Sequence, residues 1–265
     1  MFPLAVAVLL ELTTAAQASP RPRECRVGLG DDGVWVRLRG ADAQHFCELL
    51  ARGYARLGQD PKEALLAAHS AEALAGPGPA VRVLGARAEL RLGEAQLAYL
   101  LFQQAEASEA QALADPKALH DYARAASLAD KPTEAVRLYR LLVSRAALLD
   151  DPRERAFVQI EAAAHVLAHV EGGQDEALGY LAQARKQPLG LSAWIGGLRL
   201  LALQRSGRAD ARGSLTATPS AASLGAAPTA KFSADLPLLP AGVFAALRAA
   251  LGGGAEALGG KGQAP

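Results

Sequence analysis

Four prolines, Pro79, Pro116, Pro152 and Pro188, fall at intervals of 37, 36 and 36 residues. Proline cannot continue a helix from its interior but fits the first turn of the next one, so this spacing predicts a chain built from repeated units of about 36 residues. A small residue recurs twice in each unit, 12 or 13 positions apart: Ala51 and Ala64, Gly85 and Ala98, Ala123 and Ala135, Ala164 and Ala177. Small side chains at that distance let two antiparallel helices approach closely. Short turns separate them at Gly58-Gln59-Asp60-Pro61, Leu92-Gly93, Ala129-Asp130-Lys131-Pro132 and Gly172-Gly173-Gln174-Asp175. Apolar residues make up 51% of the chain, mostly Ala and Leu, while aromatics supply 5%. That balance favours packed helices over a β-sandwich or barrel, which draws on β-branched and aromatic residues.

The units share a motif. The first has Cys47-x2-Leu50-Ala51-x2-Tyr54 and then Glu63-Ala64; the second has Val81-x2-Leu84-Gly85-x2-Ala88 and then Ala98 with Phe102. The third has Leu119-x2-Tyr122-Ala123-x2-Ala126 and then Glu134-Ala135 with Tyr139; the fourth has Ala164-x2-Leu167, Glu176-Ala177 and Leu181. Trp194 opens a further first helix reaching about Arg205. This arrangement over residues 43–212 resembles the tetratricopeptide repeat (TPR), or a related helical-hairpin repeat. The resemblance implies an all-α, right-handed solenoid of about four and a half repeats.

The N-terminus reads as an export signal, with an apolar run from Phe2 to Leu10 and an A-x-A site at Ala16-Gln17-Ala18 that predicts cleavage after Ala18. A buried first helix is the alternative. Cys25 and Cys47, with 21 residues between them, are the two cysteines of the chain and fit a disulfide in an oxidising compartment; two buried thiols in a cytosolic protein would be the other reading. Gly28-Leu29-Gly30-Asp31-Asp32-Gly33 matches the dinucleotide fingerprint by letter, but alternating Val34-Trp35-Val36-Arg37-Leu38-Arg39 follows it instead of a helix. A phosphate site needs helix N-terminal amides and not two aspartates, so the segment is expected to be the turn of a small β-hairpin. That hairpin, within residues 19–42, would cap the first repeat.

Beyond Arg212 the composition shifts to Ser, Thr, Ala, Pro and Gly, which predicts a disordered linker over 213–239. An amphipathic helix follows over 240–251, with Val243, Phe244, Leu247 and Leu251 in its stripe, and a flexible tail over 252–265. The stripe is apolar enough to cover the open end of the array around Trp194, Leu198 and Leu201. Plugging the groove and serving as a free handle are the other roles open to it.

Charge and motifs limit the function. Lys+Arg 28 against Asp+Glu 27 leaves +1, no field for nucleic acid, and no run approaches the ~20 apolar residues of an integral membrane span. No catalytic motif is present, and no cofactor is expected. Glu161, His165 and His169 share one helix face at i, i+4 and i+8, where a metal-binding protein or envelope enzyme would place ligands; a solvated helix face is the simpler reading, with no metal bound.

The TPR resemblance implies that first helices line a concave, peptide-binding groove. Its lining would be His45, Glu48, Arg52 and Arg56 in the first repeat, Arg82 and Glu89 in the second, Lys117, His120, Asp121 and Arg124 in the third, and Glu161, His165 and His169 in the fourth. The resemblance also implies a partner protein bound as an extended peptide or helix. Asn is absent from the chain, so the Asn-based clamp with which some family members hold a chaperone's C-terminal carboxylate cannot form. The expected function is a non-enzymatic interaction scaffold or adaptor, periplasmic or secreted in a bacterium; a cytosolic scaffold is the reading if export fails.

Overall fold

A computed structural model describes residues 25, 38, 40–109, 111–186, 191–207 and 236–249. Among these residues nine α-helices follow in order: α1 Ala41–Arg56, α2 Pro61–Ala75, α3 Pro79–Leu92, α4 Ala95–Ser108, α5 Pro116–Leu128, α6 Pro132–Arg145, α7 Pro152–His169, α8 Gln174–Ala184 and α9 Ser192–Arg205. A tenth, α10, covers residues 241–249. No strand occurs among the described residues. The hairpin expected at 28–39 lies almost wholly outside them, as do the export signal and the tail.

Three of the four spaced prolines act as predicted, and Pro188 lies outside the described residues. Pro79, Pro116 and Pro152 each open a helix, where the missing N–H costs nothing, and Pro61 and Pro132 open two of the intervening helices. Asp60, Asp115 and Asp151 accept backbone N–H bonds from Glu63, Lys117 and Arg153, satisfying donors that the first turn leaves free. Gly93 sits at φ 94° in the α3–α4 turn, a left-handed position that glycine adopts without penalty.

Consecutive helices pack against one another along the whole array. Neighbouring first helices also approach closely at α1 with α3, α3 with α5 and α7 with α9, whereas α5 with α7 and the pairs of neighbouring second helices do not to that extent among the described residues. The odd-numbered helices are the first helices of the units and form one layer, the even-numbered ones the other. Long side chains bridge the second-helix layer: Arg137 of α6 reaches Glu106 of α4 at 2.9 Å, and Arg140 reaches Glu176 of α8 at 2.8 Å.

Three apolar clusters follow in sequence along the array, around Phe46 and Leu84, around Tyr122 and Tyr139, and around Ile160 and Trp194. Ala98, Ala123, Ala135, Ala164 and Ala177 are fully buried, and Gly85 is buried too. The first unit departs from the expected pattern, because Ala51 is exposed. Gly53 makes the close approach there: a Cβ on it would stand 2.5 Å from Leu84 Cδ2 and 3.3 Å from Ala67 Cβ. α1 is thus rotated from its motif-based phase. Cys25 and Cys47 are joined, their sulfurs 2.06 Å apart, which ties the chain ahead of the array to α1.

The C-terminal segment folds onto the far end. Val243, Phe244 and Leu247 of α10 are buried in the last cluster with Trp194, Leu198 and Leu201, and the Phe244 and Trp194 rings lie 6.0 Å apart. Leu251 lies outside the described residues. The expected linker ends earlier than its composition suggested, since Pro237 and Leu239 are buried. The remainder of that linker is outside the described residues. No helix among the described residues is long and apolar enough to cross a membrane.

Candidate functional site

A line of paired charges runs from helix to helix along the first-helix layer. Arg87 of α3 stacks over the ring of Tyr54 of α1, 5.7 Å from its centroid. Its Nε donates to Asp121 of α5 at 2.7 Å, and Arg91 donates to the same oxygen at 3.1 Å. From α5, Arg124 and His120 both reach Glu161 of α7, at 2.5 Å and 2.7 Å. Each link thus joins one repeat to the next.

Glu161 is the focus of this line and is completely buried. Its Oε2 accepts from His120 Nε2 at 2.7 Å and from the Tyr139 hydroxyl at 3.0 Å. Its Oε1 accepts from Arg124 and also from the backbone N–H of Leu238 at 2.8 Å. Arg124 Nη2 in turn lies 3.4 Å from the Leu236 carbonyl oxygen. A carboxylate buried without such partners would be prohibitively costly, so its surroundings explain why it is ionised. Burial raises its proton affinity, but the charges of Arg124 and His120 dominate and hold it far below the usual carboxylate range. Asp121 follows the same logic: burial opposes ionisation, Arg91 and Arg87 favour it, and its pKa falls to about 2.

Two buried histidines are shifted in opposite directions. Burial and Arg124 push the His120 pKa down, yet Glu161 and Glu154 outweigh them and the net shift is upward. Its Nδ1 stands 3.8 Å from Glu154, so the ring lies between two carboxylates. His165 is dominated by burial, which drops its pKa to about 4. It is therefore neutral near pH 7: Nδ1–H donates to the Glu161 carbonyl at 2.8 Å, and Nε2 accepts from the Ser127 hydroxyl at 2.7 Å.

The structure thus assembles His120, Asp121, Arg124, Glu161 and His165 out of the expected groove lining, but as an internally paired and buried network. A groove of solvent-facing charge does not describe them. Lys117 and His169 remain exposed at its edges, the His169 ring 6.2 Å from that of His165. His45, Glu48, Arg52 and Arg56 are exposed and separate from the line; Arg52 and Arg56 pair with Glu63 of α2 at 2.6 and 3.0 Å. At 3.6 residues per turn, Arg52 stands roughly 160° around α1 from Tyr54, which does join the line. Arg82 and Glu89 are likewise rotated away from Arg87, and burial, with Glu94 nearby, raises the Glu89 pKa.

The motif missed Arg87, Arg91 and the backbone of 236–238, and it held Tyr54 and Tyr139 as packing positions without assigning them to the site. The signal for Arg87 was present: Arg87 and Arg124 each lie eight positions beyond a helix-opening proline, Pro79 and Pro116, and each meets a carboxylate on the following first helix. Phasing the repeats on proline rather than on the small residue brings the two arginines into register. The Glu161, His165 and His169 trio does not converge, because Glu161 and His165 are turned to different partners; among the described residues no group of three or more His, Cys, Asp or Glu side chains is placed to hold a metal. No protein-family model, curated protein or solved structure matches the chain.

Proposed function

We propose that this chain is a non-enzymatic, TPR-like interaction module, a right-handed solenoid whose concave layer takes a protein partner as an extended segment, and that it works in the periplasm or envelope of a bacterium. The observation that carries this reading is the engagement of Glu161 and Arg124 with main-chain atoms. A carboxylate accepting a peptide N–H beside a guanidinium facing a peptide carbonyl is a device for holding extended chain whatever its side chains. The joined pair Cys25 and Cys47 supports an oxidising compartment.

The test is an unbiased selection of displayed peptides on the full chain, followed by photo-crosslinking from the selected peptides. Peptides of micromolar affinity, crosslinking to α3, α5 and α7, are expected. Failure to select any peptide, or crosslinks confined to α2, α4, α6 and α8, would contradict the proposal.

A further inference from the structure

The segment that meets Glu161 and Arg124 belongs to the chain itself. It reads Leu236-Pro237-Leu238-Leu239-Pro240 and leads directly into α10. Both prolines have φ fixed near −65°, and each pushes the residue before it, Leu236 and Leu239, away from the helical region. The backbone is therefore extended before it binds, which reduces the entropy lost on docking. Burial follows the period of two that extended chain imposes: Pro237 and Leu239 are buried, Leu236 is exposed and Leu238 half-buried. The main-chain contacts come from the other pair, through the Leu236 carbonyl and the Leu238 N–H. Side chains at one parity are covered while the backbone at the other meets the charged pair.

α10 completes the hold. Pro240 accepts from the Val243 and Phe244 amides, starting the helix at once, and Val243, Phe244 and Leu247 then enter the cluster around Trp194. Two modes of peptide recognition, an extended stretch and an amphipathic helix, thus sit side by side on one continuous segment.

We infer that residues 236–249 are the resident ligand of the C-terminal part of the concave groove, and that the external partner is a protein segment of the same chemistry: extended, proline-containing, apolar at alternate positions, and followed by a short amphipathic helix. This inference rests on the groove reading above for the existence of that partner, but not for the resident segment. Only 28 residues separate Gly207 from Leu236, and a tether of that length presents the segment at an effective concentration on the order of millimolar. An external segment of equal intrinsic affinity therefore binds poorly until the resident one is released. The contact is autoinhibitory by mass action alone.

The experiment starts from the full chain with a protease site placed within residues 213–230. Its probe is a fluorescent synthetic peptide of residues 234–250. The intact chain should bind the probe at least tenfold more weakly than the same chain after cleavage and removal of the released fragment by competition. A probe carrying Leu238→Pro lacks the N–H that Glu161 accepts and should bind the cleaved chain at least tenfold more weakly than the native probe. A second, uncleaved variant, Phe244→Asp with Leu247→Asp, should bind the native probe as the cleaved chain does, with its helical circular dichroism retained. Equal binding to intact and cleaved chains, no binding at 100-fold above the micromolar range, or indifference to Leu238→Pro would each overturn the inference. If the probe behaves as expected while display selects no peptide, the resident ligand stands and the external partner falls. If selected peptides crosslink to the first helices while the probe fails to bind, the groove reading stands and the resident ligand falls.

Discussion

The two ends of the array use charge in opposite ways. At the N-terminal end Arg52 and Arg56 meet Glu63 with the arginine side chains 65% and 47% exposed, on a face turned from the line of buried charge. At the C-terminal end Arg124 meets Glu161 with 5% and 0% exposed, beneath a segment of the chain's own backbone. The first arrangement is screened by water and holds little. The second is built at a high desolvation cost that only a complete set of partners offsets, so it specifies which atoms must be present. The lesson is that a charged residue at an expected groove position takes its role from what lies over it.

The sharpest way to break the comparison is to remove the central carboxylate. Glu161→Ala leaves Arg124 and His120 buried without their partner and should cost about 3–5 kcal/mol in urea denaturation. Glu63→Ala, the matching change at the other end, should cost under about 1 kcal/mol. Equal losses would show that the two ends do not differ as described.

Acid should separate the ends next. His165 has a pKa of about 4 in the folded chain against an ordinary 6.5, so between these values the unfolded chain binds a proton that the folded chain refuses. Stability is then fully present above pH 6.5 and falls as the pH drops toward 4, by about 3 kcal/mol from this group. Glu161, whose pKa is depressed, adds a further loss below about pH 4.5. His120 has the opposite sign: its raised pKa contributes stability below pH 6.5 that is lost as the pH rises through its folded value. Thermal melts across pH 4–8 of the wild type and His165→Gln check this, with a flatter acid limb expected in the variant.

Much of the frame was legible in the sequence. The prolines set the unit length, and the structure opens helices at Pro79, Pro116 and Pro152. The turns were equally clear, because Gly93 and the Asp-capped prolines have local physical roles that need no tertiary context. Rotation of each helix was harder. In α1 the motif pointed to Ala51, but close contact with Leu84 selects Gly53, and one such shift carries every groove residue of that repeat to another face. The buried state of Glu161 was hidden for a different reason. Its partners come from α5, α6 and residue 238, 77 positions away, and no local pattern announces them. The apolar stripe of α10 was legible and does meet Trp194, but the stripe alone left cap, plug and free handle open, and Leu236 to Leu239 carried too little composition to stand apart from the linker before them.

The disulfide gives a prediction of middle size at the N-terminal end. Cys25→Ser with Cys47→Ser should lower stability by about 3 kcal/mol on the chain-entropy model, read from the denaturation midpoint, and should leave probe binding at the C-terminal end unchanged. A change in that binding would couple two ends that the account keeps separate. The smallest effect belongs to the exposed pair itself: Arg52→Ala should shift stability by less than about 1 kcal/mol, and even that should shrink in 1 M salt.

The central claim is that residues 236–249 occupy the far end of the concave layer, held by Glu161. Hydrogen exchange read by mass spectrometry on peptides spanning this segment of the full chain tests it most directly. The account predicts slow exchange of the Leu238 amide and of those in α10, with the protection at Leu238 reduced in Glu161→Gln, where the acceptor loses its charge. Exchange of the whole segment within the labelling dead time in the wild type, at the rate of the free peptide, would contradict it.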